Sequence, residues 1–178
     1  MYLKFGSDFA DFDLEFLKDL FALFDSRWGD LQLHIDASSD PDPDGLCDQG
    51  EYLAGMGLIS CQRYLAATYG QHQIRKDIAL AFGPTLQGGK TFAEVVNAGA
   101  NYWKHCDEWD TVATIARDIS LLTAQQQCTV RTIETVTPWS DYTCANLLYE
   151  LSDGRDTFLD LIVKLEQWRN AMDTAQVG

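Results

Sequence analysis

Apolar residues recur at helical spacing along most of this chain. In the first run, residues 8–28, Phe9, Phe16, Leu17, Leu20, Phe24 and Trp28 share the helical rhythm. Ser7 or Asp8 is placed to cap that helix, and the acids in its first turns suit the helix dipole. Residues 29–36, GDLQLHID, alternate apolar and polar, which fits a short strand or a continued helix. The prolines, glycine and aspartates of residues 37–45, ASSDPDPDG, predict a loop. A long helix is predicted over about 48–69, with Leu53, Met56, Leu58, Ile59, Tyr64 and Leu65 around nearly its whole circumference, as for a central, buried helix. Gly55 and Gly57 would let neighbouring elements approach it closely.

Residues 74–82, IRKDIALAF, read as a short helix or a strand, and 83–90 as a loop. Thr91 then caps a helix reaching about Trp109, with Glu94 completing a capping box. A further helix is predicted over 111–127, with Val112, Ile115, Ile119 and Leu122 on one stripe. After a break near Pro138 come a helix over about 140–152, ended at Gly154, and a last one over 156–173. In the last, Phe158, Leu161, Ile162, Leu165, Trp168 and Met172 follow the i, i+3, i+4, i+7 pattern. No internal repeat or shift of composition divides the chain, so residues 1–178 read as a single all-α domain: a bundle of five to seven helices with little or no sheet.

Composition adds a strong charge. The chain has 178 residues, 46% of them hydrophobic, and a formal net charge of −14. Such a surface keeps a protein dispersed, argues against direct binding to nucleic-acid backbones and suits a basic protein partner. The five cysteines, Cys47, Cys61, Cys106, Cys128 and Cys144, form no C-x-x-C pair and read as neither a disulfide framework nor a zinc site. With no signal-peptide core and no run of apolar residues long enough for a membrane span, the expected compartment is the cytoplasm.

Three stretches carry candidate chemistry. In DPDPDGLCDQGE, residues 40–51, Asp40, Asp42, Asp44, Gly45 and Glu51 fall in register with the D-x-[DN]-x-[DN]-G-x5-E calcium loop. The loop resembles that of an EF-hand and would make Asp40, Asp42, Asp44 and Glu51 calcium ligands. Pro43, however, removes a backbone N–H that such a loop uses, and no partner loop follows. The competing expectation is an acidic surface loop leading into a helix. In PTLQGGKT, residues 84–91, Gly89, Lys90 and Thr91 match the end of a phosphate-binding loop, but Pro84 replaces its first glycine and no alternation of strands and helices surrounds it.

The third stretch is GANYWKHCDEW, residues 99–109. On a helix Glu94, Asn97, Asn101, His105 and Glu108 line one side, opposite Phe92, Val95, Val96, Tyr102, Cys106 and Trp109. A histidine beside a carboxylate can move protons near neutral pH. It can equally be one member of a polar network within the bundle.

The helical order over about 48–172, together with the N-x-x-x-H of Asn101 and His105, resembles the HEPN superfamily of microbial defence and toxin–antitoxin proteins. That resemblance implies a cytoplasmic all-helical bundle acting through protein contacts. Several members are metal-independent RNases whose R-x4-6-H motifs meet in a homodimer. It would make His105 the acid/base, Asn101 its orienter and Glu108 its partner. In this chain the arginine would fall at Ala98, Gly99 or Ala100, so the main electrostatic catalyst of such a site is missing. The alternative from another class is an acidic immunity or inhibitor protein that neutralises a basic partner.

Overall fold

A computed structural model describes residues 2–5 and 8–176. The chain opens with an antiparallel hairpin, β1 (Tyr2–Phe5) and β2 (Asp8–Asp11), in which Tyr2 pairs with Asp11. Among the described residues eight α-helices follow: α1 (Phe12–Ala37), α2 (Leu46–Gln71), α3 (Lys76–Leu80), α4 (Phe92–His105), α5 (Thr111–Ala116), α6 (Ala124–Ile133), α7 (Thr143–Leu151) and α8 (Leu159–Gln176). The all-α class expected from the periodicity is what is observed. The helix number exceeds the expected five to seven, because the predicted 111–127 helix is two helices and 74–82 holds a short one.

The boundaries differ for identifiable reasons. The first helix begins at Phe12, four residues after the expected start, because the Asp11 carboxylate accepts from Leu14 N at 3.1 Å and fixes the first turn there. Ser7, one of the two expected caps, lies outside the described residues, and Asp8 sits in β2. At the other end α1 absorbs the ambiguous stretch 29–36. The helix expected over 111–127 breaks at Arg117, whose φ of +53° is left-handed and ends α5, and restarts at Thr123, which caps α6. Val112 and Ile115, expected on a buried stripe, are consequently 64% and 80% exposed, while Leu122 remains buried.

α2 is the hub, packed against α1, α4, α7, α8 and α3. Its glycines let it be one. A Cβ on Gly55 would lie 2.2 Å from the Trp103 ring and one on Gly57 2.3 Å from the Phe158 ring, so both aromatics rest on bare backbone. Leu58, Tyr64 and Leu65 are buried as expected, but Met56 and Tyr52 face outward, so α2 is not apolar-buried all round. Phe158 anchors the core beside it, with ring centroids 5.7 Å from Phe21, 5.4 Å from Phe24 and 5.8 Å from Trp28. All six residues of the last expected stripe, Phe158 at the head of α8 and the five on it, are buried.

One buried ion pair ties the ends of the chain together. Arg169 Nη1 lies 2.5 Å from Asp11 Oδ2, and Tyr64 donates to the same oxygen at 2.6 Å. No helix among the described residues is long and apolar enough to cross a membrane.

Candidate functional site

The polar strip singled out in the sequence lies on α4 as far as His105, where that helix ends, four residues short of the expected Trp109; Glu108 stands in the 3-10 turn Cys106–Glu108 that follows. That helix starts where the sequence places it: Thr91 Oγ1 accepts from Glu94 N at 3.1 Å, and the Glu94 carboxylate accepts from Thr91 N at 2.9 Å. Phe92, Val95, Val96 and Tyr102 point into the core. Gly99 gives room there, since a Cβ would stand 2.7 Å from Leu147 and 2.8 Å from Leu58. With that side committed to α2 and α7, the strip from Glu94 to Glu108 runs along the outer edge between α2 and α6.

The strip divides into two parts. Gln62 of α2 donates from Nε2 to Asn97 Oδ1 at 3.0 Å and to Asn101 Oδ1 at 2.9 Å, and its Oε1 accepts from Lys104 Nζ at 2.7 Å. His105 turns the other way, with Nδ1 3.3 Å from Glu108 Oε2. Their side chains are 54% and 73% exposed, so water screens the pair and its net contribution to stability is small. The expected partnership of His105 with Glu108 is therefore present, whereas the Asn101 oxygen is held by α2. Both asparagines are half-buried.

Two adjoining hollows flank the strip on the α6 side. One, of about 260 Å³, is lined by Asn101, His105, Glu108, Trp109, Gln125 and Thr129, among others. The other, of about 250 Å³, shares Asn101, Gln125 and Thr129 and continues to Asn97, Glu94 and Lys90. Together they make one groove between α4 and α6, walled by amides, hydroxyls and carboxylates and by the apolar Leu80, Ala98, Cys128 and Trp109. Lys90, the cation at its far end, sits 2.8 Å from Glu94 Oε1. Burial alone would lift the Glu94 carboxyl, but Lys90 and the Thr91 hydrogen bonds hold it below its ordinary value. Lys104 is committed to Gln62. Among the described residues the groove therefore presents no unpaired cation to a phosphate.

The four acids matched to a calcium loop do not converge. Asp42 accepts from Tyr142 Oη, Asp44 accepts from Ser38 Oγ at 2.6 Å, and Asp40 follows Ser38 in a tight turn. Glu51 is turned inward and 7% exposed, with its two oxygens each 2.8 Å from a backbone N–H, those of Cys144 and Ala145 at the start of α7. Burial raises its pKa despite those two bonds. No three His, Cys, Asp or Glu side chains among the described residues gather as a metal site.

The glycine-rich loop after α3 is a small backbone-closed turn, not a phosphate cradle at the end of a parallel strand. Thr85 bridges Thr91, Leu86 N donates to Lys90 O at 2.7 Å, and Gly88 and Gly89 supply φ values of +99° and +83°.

Sequence reasoning missed two features. One is a cleft of about 970 Å³ where Pro84–Gly88, Glu134–Pro138, Asp153 and Gly154 meet Glu150 of α7 and Lys164 of α8, assembled from separate segments that carry no shared motif. The other is the Gln62 link, whose partners lie 35 and 39 residues away. Its one trace in the sequence is the repetition of amides at i and i+4 on α4, which asked for a donor from elsewhere. No family model matches this chain, and no curated protein or solved structure matches it either.

Proposed function

We propose that this chain works by binding a basic protein partner, as an acidic inhibitor or immunity protein does, in the microbial defence setting that the HEPN-like reading of the bundle suggests. The observation that carries the proposal is the groove beside His105. It offers amides and the carboxylates of Glu94 and Glu108, and the lysine that lines it, Lys90, is already paired with Glu94. Such a surface attracts ammonium and guanidinium groups and repels phosphates. Exposure supports it further: from Asp11 to Asp173, Asp11 and Glu51 are the buried acids, and the other carboxylates meet solvent at least in part.

The catalytic alternative is a metal-independent RNase using His105, Asn101 and Glu108. It has the histidine–carboxylate pair in its favour but lacks a cation to stabilise a developing phosphorane charge. The test measures association with the basic proteins encoded beside this chain's gene. The expected complex has an on-rate falling at least about tenfold from low to high salt, as steering between opposite charges requires. An on-rate indifferent to salt, or RNA cleavage that disappears in His105→Ala, would replace this reading with another.

A further inference from the structure

The amide network on α4 fixes the direction of each of its members. Lys104 has only donors to offer, so the Gln62 atom it meets is the carbonyl oxygen. Gln62 Nε2 then faces α4 and donates to the Oδ1 atoms of Asn97 and Asn101. Each asparagine commits its oxygen to α2 and keeps its Nδ2 group, with two N–H donors, for the other side. That side is the groove against α6, which Asn97 and Asn101 line and Gln62 does not. The two donor groups sit one helical turn apart, about 6 Å along the axis.

An extended polypeptide shows a carbonyl on the same side at every second residue, about 6.7 Å apart. The two spacings are close enough for neighbouring same-side carbonyls to meet neighbouring asparagines. On the opposite wall Thr129 and Thr132 give their hydroxyl protons to Gln125 O and Cys128 O of their own helix and keep oxygen lone pairs to accept with, beside the Gln125 side-chain amide, which can accept or donate. Glu94 and Glu108 stand towards the two ends. From Glu94 to His105 the groove runs about 16 Å, room for roughly five extended residues.

Building on the basic-partner reading above, we infer that the α4–α6 groove holds an extended, lysine- or arginine-bearing segment of the protein partner, gripped through its backbone carbonyls by Asn97 and Asn101. Asn97 and Asn101 are the binding residues. Gln62 and Lys104 are positioning residues that keep the amide donors turned outward. A single-stranded RNA is the wrong occupant because its phosphates would meet carboxylates and no free cation. A second copy of this chain is disfavoured by its own charge of −14.

The probe is a flexible peptide of about eight residues alternating lysine and alanine, long enough at about 3.3 Å per residue to overfill the groove. Binding is followed by fluorescence, and by the side-chain amide resonances of Asn97 and Asn101. Both resonances are expected to shift. Asn97→Ala and Asn101→Ala should each weaken binding about tenfold, the scale of one hydrogen-bonded group lost. Gln62→Met, which releases the amides without removing them, should weaken it less. A peptide with an ester in place of one backbone amide should bind the wild type more weakly, a test needing no variant. Variants are compared only where their thermal midpoints match the wild type.

Equal binding by the wild type and both asparagine variants would remove the groove as the site and leave the basic-partner reading standing. So would a folded basic partner that binds while the peptide does not. RNA that shifts the same two amide resonances would overturn the inference and the reading together.

Discussion

Two pairs of helices in this molecule begin in opposite ways. α4 and α6 carry their own starts: Thr91 and Thr123 accept from the third backbone N–H of their helices, and Glu94 and Gln126 reach back at 2.9 Å each. α7 and α8 have no such residue. Tyr142 and Phe158 stand at their heads, and the N–H groups there are met by carboxylates from other helices. Glu51 of α2 serves α7, and Asp25 of α1 takes Phe158 N at 2.6 Å and Leu159 N at 3.1 Å. An anion at a helix N-terminus is favourable wherever it comes from, but an imported one also fastens two helices together. The first pair is therefore a local matter and the second a tertiary one. Asp11 does both, capping α1 in its own turn while receiving Arg169 and Tyr64 from α8 and α2.

That contrast can be broken at graded points, each read as a denaturation midpoint. Arg169→Met should be the most damaging, about 3–5 kcal/mol, because it strands a buried Asp11 carboxylate without its counter-charge; a loss under about 1 kcal/mol would show that Asp11 finds solvent instead. Glu51→Ala should follow, at about 2–3 kcal/mol, since two N–H groups at a buried helix start lose their acceptors. Asp25→Ala, at a half-buried site, should cost about 1–2 kcal/mol, and Thr123→Ala, on an exposed capping box, about 1 kcal/mol. Were Thr123→Ala to cost more than Glu51→Ala, the distinction between imported and local caps would have no energetic content.

Glu51 also gives the comparison a pH axis. Its folded pKa lies above the ordinary 4.5, chiefly because of burial, so the folded chain keeps this proton to higher pH than the unfolded chain does. Stability drawn from that proton is present at low pH and declines as pH rises through the window above about 4.5. Glu51→Gln cannot titrate. The stability of the wild type relative to that variant should therefore fall as pH rises above about 4.5. A difference flat across that range would mean that the carboxylate is as well served inside as in water.

How much of this was legible follows the same division. The capping boxes of α4 and α6 involve residues three apart. For α4 both Thr91 and Glu94 could be read directly from the sequence. The periodic face of α8 was legible because six buried side chains share one stripe. The start of α1 was missed because Asp11 competes with nearby acids and only its three-way contact with Leu14, Tyr64 and Arg169 selects it. The 111–127 stripe misled because apolar spacing survives the left-handed turn at Arg117, which no glycine announces. At the candidate site, the α4 strip and the His105–Glu108 pair are short-range and were visible, while Gln62, which orients the amides, comes from a different helix. Glu51 satisfied a calcium pattern by type and spacing; its inward direction depends on α7, 93 residues further on.

That distance bears on the order in which the chain acquires its shape. A helix start furnished by a residue 93 or 133 positions away exists only after a very large loop has closed. α4 and α6 can flicker into being on their own within microseconds of dilution from denaturant, but the heads of α7 and α8 must wait for α1 and α2 to arrive. Substitutions at Glu51 and Asp25 should therefore speed unfolding while leaving the refolding rate almost unchanged, which makes these two carboxylates latches on the finished molecule rather than seeds of it.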